Sequence, residues 1–151
     1  MMNRARRWSA AMAMVAAMVF TAVSYADEIP SASQIQPQEL AQALKSPQKP
    51  VVLYVGPQAF YAQAHIPGAE NIGPVGKPQG MEKLRARAAG LKKDAAVVIY
   101  CGCCPWDHCP NIRPAFAELK KLGLSNVRVL YLATSLGADW KDKGFPVATG
   151  E

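Results

Sequence analysis

Three short apolar runs rich in β-branched residues, 51–55, 96–100 and 126–132, are separated by stretches whose apolar residues recur at helical spacing. Runs of this length bounded by turn residues predict buried strands; Gly56-Pro57 closes the first. Between them, 37–44 reads as a helix that opens on Pro37, a residue tolerated at the first helical position, with Leu40, Ala41 and Leu44 on one face. Residues 59–64 supply one or two helical turns, and 81–91 a longer helix with Met81, Leu84, Ala88 and Leu91 in one stripe. Residues 111–122 form the last, with Ala115, Phe116, Leu119 and Leu122 at helical spacing and Gly123 where a C-terminal cap belongs. The remainder predicts connections: 27–36 an extended lead-in, 46–50 and Pro67-Gly68 turns, and 71–80, crowded with glycine and proline, a loop. Strands alternating with helices predict one α/β domain with a mainly parallel central sheet and helices on both faces.

The N-terminus stands apart from this pattern. Arg4, Arg6 and Arg7 precede an uncharged apolar run at 10–23, and Ser24-Tyr25-Ala26 places small residues where a signal peptidase reads. Residues 1–26 are therefore expected to be a cleaved secretory signal, leaving 27–151 as the domain and the periplasm as its compartment; the run is too short for a spanning helix, so no membrane contact is expected after cleavage. Cleavage changes the charge as well. The full chain carries 17 basic and 11 acidic side chains, net +6, and loss of the three arginines leaves 14 against 11, net +3. The remaining basic positions, densest at 83–87 and 92–93, have no interleaved aromatics and read as a solvated helix face, which excludes a nucleic-acid surface.

All four cysteines, Cys101, Cys103, Cys104 and Cys109, fall within nine positions between the second apolar run and the helix at 111–122. Loops at the carboxyl ends of strands are where α/β folds bind ligands and do chemistry. Disulfides so local would close very short loops and constrain the unfolded chain little, and a bond between adjacent Cys103 and Cys104 would be strained. The cluster reads as chemistry more than as a staple, with a local loop disulfide as the competing reading.

Four separated stretches resemble one family. Ala64-His65-Ile66-Pro67-Gly68-Ala69-Glu70-Asn71-Ile72 resembles the "GHIPGA-x-N-I" signature of rhodanese-like domains, and Val97-Val98-Ile99-Tyr100-Cys101 their active-site strand. Gly123-Leu124-Ser125-Asn126-Val127-Arg128-Val129-Leu130 is similar to "GF-x-NV-x-x-L", and Trp140 through Gly144-Phe145-Pro146-Val147 to the closing "W-x-x-x-G-x-PV". The resemblance spans about 33–149. It departs from the family at Tyr54 and Gly56, where an Asp and an Arg are usual, and in the cysteine loop, which is longer than the family's. The resemblance implies a sulfurtransferase that carries sulfane sulfur as a persulfide on Cys101, moving it from a small sulfur-donor anion such as thiosulfate to a thiol acceptor, with no cofactor.

The residues support that role. Loop amides and the start of the following helix can stabilise a thiolate or persulfide on Cys101. Cys103, Cys104 and Cys109 can receive the sulfur or expel it by forming a disulfide, which calls for a periplasmic thiol reductant as partner; the Cys-x-x-Cys spacing favours Cys104. Arg113 is the nearest cation for an anionic donor, His108 a base or ligand, and Trp106 a residue packed over the site, whereas His65 and Trp140 read as structural. Two other functions fit the cluster: a thiol-disulfide or persulfide redox protein, and a module for a soft metal such as copper or zinc, although zinc sites usually use two separated ligand pairs. A phosphatase does not fit, because it needs an arginine six positions after its cysteine, and Arg113 lies four beyond Cys109 and nine beyond Cys104.

Overall fold

A computed structural model describes residues 28–150; the expected signal, 1–26, lies outside the described residues. In chain order the elements are β1 (Gln34–Ile35), α1 (Pro37–Ala43), β2 (Val51–Tyr54), α2 (Gln58–Gln63), β3 (Glu70–Asn71), α3 (Pro78–Ala89), β4 (Val97–Tyr100), α4 (Ile112–Lys121), β5 (Val127–Leu130) and α5 (Leu136–Asp139). The strands form one sheet in the order β1-β5-β4-β2-β3, every pair parallel. The single α/β domain with helices over both faces is thus as the alternation predicts. Among the described residues no helix is long and apolar enough to cross a membrane.

Successive residues of a strand point to opposite faces, and the central strand uses both. Val97, Ile99 and Cys101 join Leu53 and Val55 of the neighbouring strand segment under α3 and α4, against Leu84, Ala88, Ile112, Ala115 and Leu119. Val98 and Tyr100 face the other layer with Val52, Tyr54, Leu40, Tyr61, Leu136 and Trp140. Cys101 therefore continues the alternation one residue past the strand and starts life as a core position, buried under the α4 layer.

The differences from the sequence reading have local causes. β1 and β3 are two residues each, too short for a periodic signal, and arise within the lead-in and the 71–80 loop's start by pairing with formed neighbours. β1 is tied to β5 by Arg128, whose guanidinium donates to the Gln34 carbonyl at 3.0 Å and pairs with Glu39 at 2.7 Å. α3 begins at Pro78, earlier than the expected 81, because proline is acceptable at a helix start. Gly80, read as a loop residue, is instead helical, and a side chain is shut out there because its Cβ would stand 2.3 Å from the Pro74 carbonyl oxygen. α5 escaped the pattern because it is a single turn, capped by Ser135, whose Oγ accepts from the Ala138 amide at 3.1 Å. Trp140 and His65 are scaffold residues as expected. Trp140 is fully buried and donates to the Pro146 carbonyl at 2.8 Å, and the His65 ring stacks on Tyr61 at 3.8 Å.

Candidate functional site

The chain leaves β4 at Cys101 and turns immediately at Gly102, whose φ of +76° is a left-handed value that suits glycine. A side chain there would also collide with α5, its Cβ 2.8 Å from that of Leu136. The turn folds the loop back on its own start, so that the Cys103 Sγ lies 3.1 Å from the Cys101 Sγ and 3.4 Å from the Cys104 Sγ. All three sulfurs fall within 4.8 Å of one another. The four cysteines are free thiols, and the competing loop disulfide is not formed in this structure. Sequence spacing favours Cys104 as the partner of Cys101, but the reversal at Gly102 brings Cys103 into the direct 3.1 Å contact, and Cys104 makes its own short contact with Cys103.

Neighbouring elements hold the loop from both sides. The Leu136 amide of α5 donates to the Gly102 carbonyl at 3.0 Å, and the Trp106 amide donates to the Ala133 carbonyl at 3.2 Å. The Trp106 ring tilts against Tyr131 with centroids 4.9 Å apart. Asn111 ties the loop's far end to its beginning: buried before α4, it accepts from the Gly76 amide at 2.9 Å and donates from Nδ2 to the Cys101 Sγ at 3.5 Å. Because the Gly76 donor fixes which end of the side-chain amide is oxygen, the NH2 group is left facing the sulfur. Asn111→Asp would put an acceptor and a negative charge against that sulfur. Persulfide formation should slow by about tenfold to a hundredfold, the worth of a hydrogen bond to a charged group, read as sulfite released per chain in a single turnover.

The charge in the cluster is not where the sequence reading puts it. The hydrogen bond with Cys109, together with burial, holds the Cys101 thiol above its ordinary range, although the Cys103 amide works the other way. Cys109 is lowered by the same hydrogen bond from Cys101, and further by the backbone amides of Asn111 and Ile112 against the desolvation that opposes them. The start of α4 thus serves Cys109 rather than Cys101. Burial pushes Cys104 up to about 12.

Cys101 and Cys103 open onto a cavity of about 320 Å³, lined also by Tyr54, Phe60, Ser135 and Lys141. Lys141 is the cation of this cavity. Arg113 is not: its guanidinium donates to the Trp106 carbonyl at 3.3 Å, and its side chain lines a separate surface cavity with Glu28 and Phe116. His108 is exposed on the short turn Trp106–His108 and belongs neither to the three-thiol group nor to the cavity lining, and Trp106 anchors the loop without lining the cavity. Sequence reading missed Lys141 and Asn111. Lys141 is distant along the chain, its one signal being its place directly after Trp140 in the closing motif, and Asn111 is an unremarkable helix-start residue until Gly76 is seen against it.

Tyr54 and Gly56 form one arrangement. The Tyr54 hydroxyl donates to the Pro57 carbonyl at 3.1 Å, and a Cβ at position 56 would lie 2.5 Å from that hydroxyl and 2.9 Å from the Cys101 Sγ. The tyrosine occupies the space a side chain at 56 would need.

A strand-end thiol at the mouth of a parallel sheet, with its loop folded back over it, defines a thiol-centred α/β domain. The chain belongs to the rhodanese-like domain family, whose description matches residues 36–132. Solved structures agree on the fold. The Alr3790 protein from Anabaena sp. is 20% identical with a TM-score of 0.58 over 77% of this chain and 92% of that one. The BH2092 protein from Bacillus halodurans is 21% identical with a TM-score of 0.57 over 77% and 76%. A thiosulfate sulfurtransferase from Pseudomonas aeruginosa is 29% identical with a TM-score of 0.58, matched over 82% of this chain but 21% of that larger protein. No curated protein matches the chain.

Proposed function

We propose that the protein is an exported sulfurtransferase that carries sulfane sulfur on Cys101. The observation that carries this reading is the placement of the Cys101 thiol at the end of β4, lining a cavity that also holds Lys141. An anionic donor such as thiosulfate would enter beside the Lys141 ammonium. Cys101 passes its proton to the Cys109 thiolate hydrogen-bonded to it and attacks the outer sulfur; the S–S bond of the donor breaks, and sulfite leaves with the electron pair. The persulfide then passes its outer sulfur to an acceptor thiol. The likeness to the Pseudomonas aeruginosa thiosulfate sulfurtransferase supports the same class of donor.

The 3.1 Å approach of Cys103 favours a second outcome at the same site. Attack of the Cys103 thiolate on the inner sulfur, Cys101 Sγ, would expel hydrosulfide and leave a Cys101–Cys103 disulfide, which an external dithiol must reduce. The protein then behaves as a persulfide reductase coupled to a thiol partner. Intact-mass and peptide mass spectrometry on protein from the periplasmic fraction, before and after thiosulfate, tests the reading. The chain is expected to begin near Asp27 and to gain one sulfur atom on the peptide containing Cys101; a chain retaining Met1, or sulfur confined to another cysteine, overturns the corresponding part.

A further inference from the structure

We propose that Cys101, Cys103 and Cys104 also form a binding site for Cu(I). The inference uses the same loop as the sulfur-transfer reading but does not depend on it. Three thiol sulfurs within 4.8 Å of one another are an all-sulfur donor set, which selects soft ions over magnesium, calcium or manganese. A planar three-coordinate ion with bonds of ~2.3 Å holds its sulfurs ~4 Å apart. The two contacts of 3.1 and 3.4 Å need to open by less than 1 Å to reach that spacing, within the freedom of side-chain rotation.

The number of donors separates copper from zinc. A structural zinc site closes with four ligands. Among the described residues three sulfurs lie within 4.8 Å of one another: His108 is exposed on its turn, and Cys109, a hydrogen-bond partner of Cys101 and Cys104, is not part of that triangle and has the amides of Asn111 and Ile112 directed at its sulfur. Three thiolates, with the fourth sulfur engaged by the amides at the start of α4, suit Cu(I). The backbone is set for them, since Gly102 makes the reversal and the Leu136 and Trp106 amide bonds hold both limbs of the loop. The Asn111 NH2 group and the Cys103 amide, both directed at the Cys101 sulfur, offset part of the negative charge that three thiolates bring. Cys103 and Cys104 are half-buried, so the ion enters from solvent and meets Cys101 last. Each thiol gives up its proton on ligation, and the ion keeps its oxidation state throughout. While it is bound, Cys101 cannot attack a sulfur donor.

The test is an anaerobic titration of the reduced full chain with Cu(I) against a chromophoric Cu(I) chelator, with no sulfur donor present. One Cu(I) per chain is expected, with an X-ray absorption spectrum fitted by three sulfurs and no fourth. Loss of an outer-shell partner already costs a metal site tenfold to a hundredfold, so Cys103→Ser and Cys104→Ser should each weaken binding by at least about a hundredfold. Cys109→Ser removes only a hydrogen-bond partner of Cys101 and Cys104, so it should weaken binding by no more than about tenfold and leave the three-sulfur shell unchanged. Circular dichroism matching the parent makes each serine variant a valid reading, and Cys101→Ser gives an independent one. Less than one Cu(I) per chain, a four-sulfur shell that includes Cys109, tighter retention of Zn(II) than of Cu(I), or parent affinity in both Cys103→Ser and Cys104→Ser overturns the site. A chain that binds Cu(I) and takes no sulfur from thiosulfate leaves this site standing and removes the sulfurtransferase; the opposite pair of results removes the copper site alone.

Discussion

Cys101→Ser should lower sulfur transfer from thiosulfate by at least about a thousandfold, because a serine hydroxyl is a poor nucleophile at neutral pH and cannot hold sulfane sulfur. The substitution is nearly isosteric and keeps the β4 end buried, so the loss reports chemistry, and a thermal unfolding curve close to the parent's confirms it. The measurement is thiocyanate formed from cyanide, repeated with a thiol acceptor. Cys109 provides the informative contrast, since its hydrogen bond with Cys101, helped by the Asn111 and Ile112 amides, holds its thiol below the ordinary range. Should Cys109→Ser lose all turnover while Cys101→Ser keeps it, the nucleophile is the residue at the helix start, and the strand-end argument fails.

Cys103→Ser is expected to separate the two half-reactions. Cys101 and Lys141 remain in the cavity, so sulfite should be released from the first equivalent of thiosulfate as in the parent. Release of sulfide under a dithiol reductant should fall by about a hundredfold, the usual cost of losing one well-placed catalytic group, and persulfide should accumulate on Cys101. Cys104→Ser should do much less, because Cys104 makes its 3.4 Å contact with Cys103, whereas Cys103 is the thiol in 3.1 Å contact with Cys101. If instead Cys104→Ser traps the persulfide, the Cys-x-x-Cys spacing is the better guide and the loop rearranges during turnover.

Much of the architecture is legible in the residues because burial leaves a periodic trace. β2 and β4 are apolar on both faces and β5 is apolar apart from Arg128, so they announce themselves, as do the stripes of α3 and α4. What stays hidden depends on partners distant in sequence. β1 and β3 exist through pairing with β5 and β2, and Gly80 looks like a loop glycine until Pro74 is found against it. The site divides in the same way. A strand followed by clustered thiols marks Cys101, whereas the order of the thiols in space follows from one left-handed glycine whose effect spacing cannot express. Arg113 is near in sequence and turned aside to Trp106; Lys141 is far along the chain and lines the cavity.

The pairing of Tyr54 with Gly56 bears on the routes by which such a loop can change through mutation. Any side chain introduced at 56 meets the phenol and the Cys101 sulfur within 3 Å, so one of them must shift while tyrosine remains. Removing the phenol first would open a void beside the nucleophile and expose it to water, with nothing at 56 to fill it. Substitutions at two touching positions of this kind are expected to be non-additive. Positions 54 and 56 therefore have to change together, whereas the cysteine loop above them carries no such constraint from the phenol.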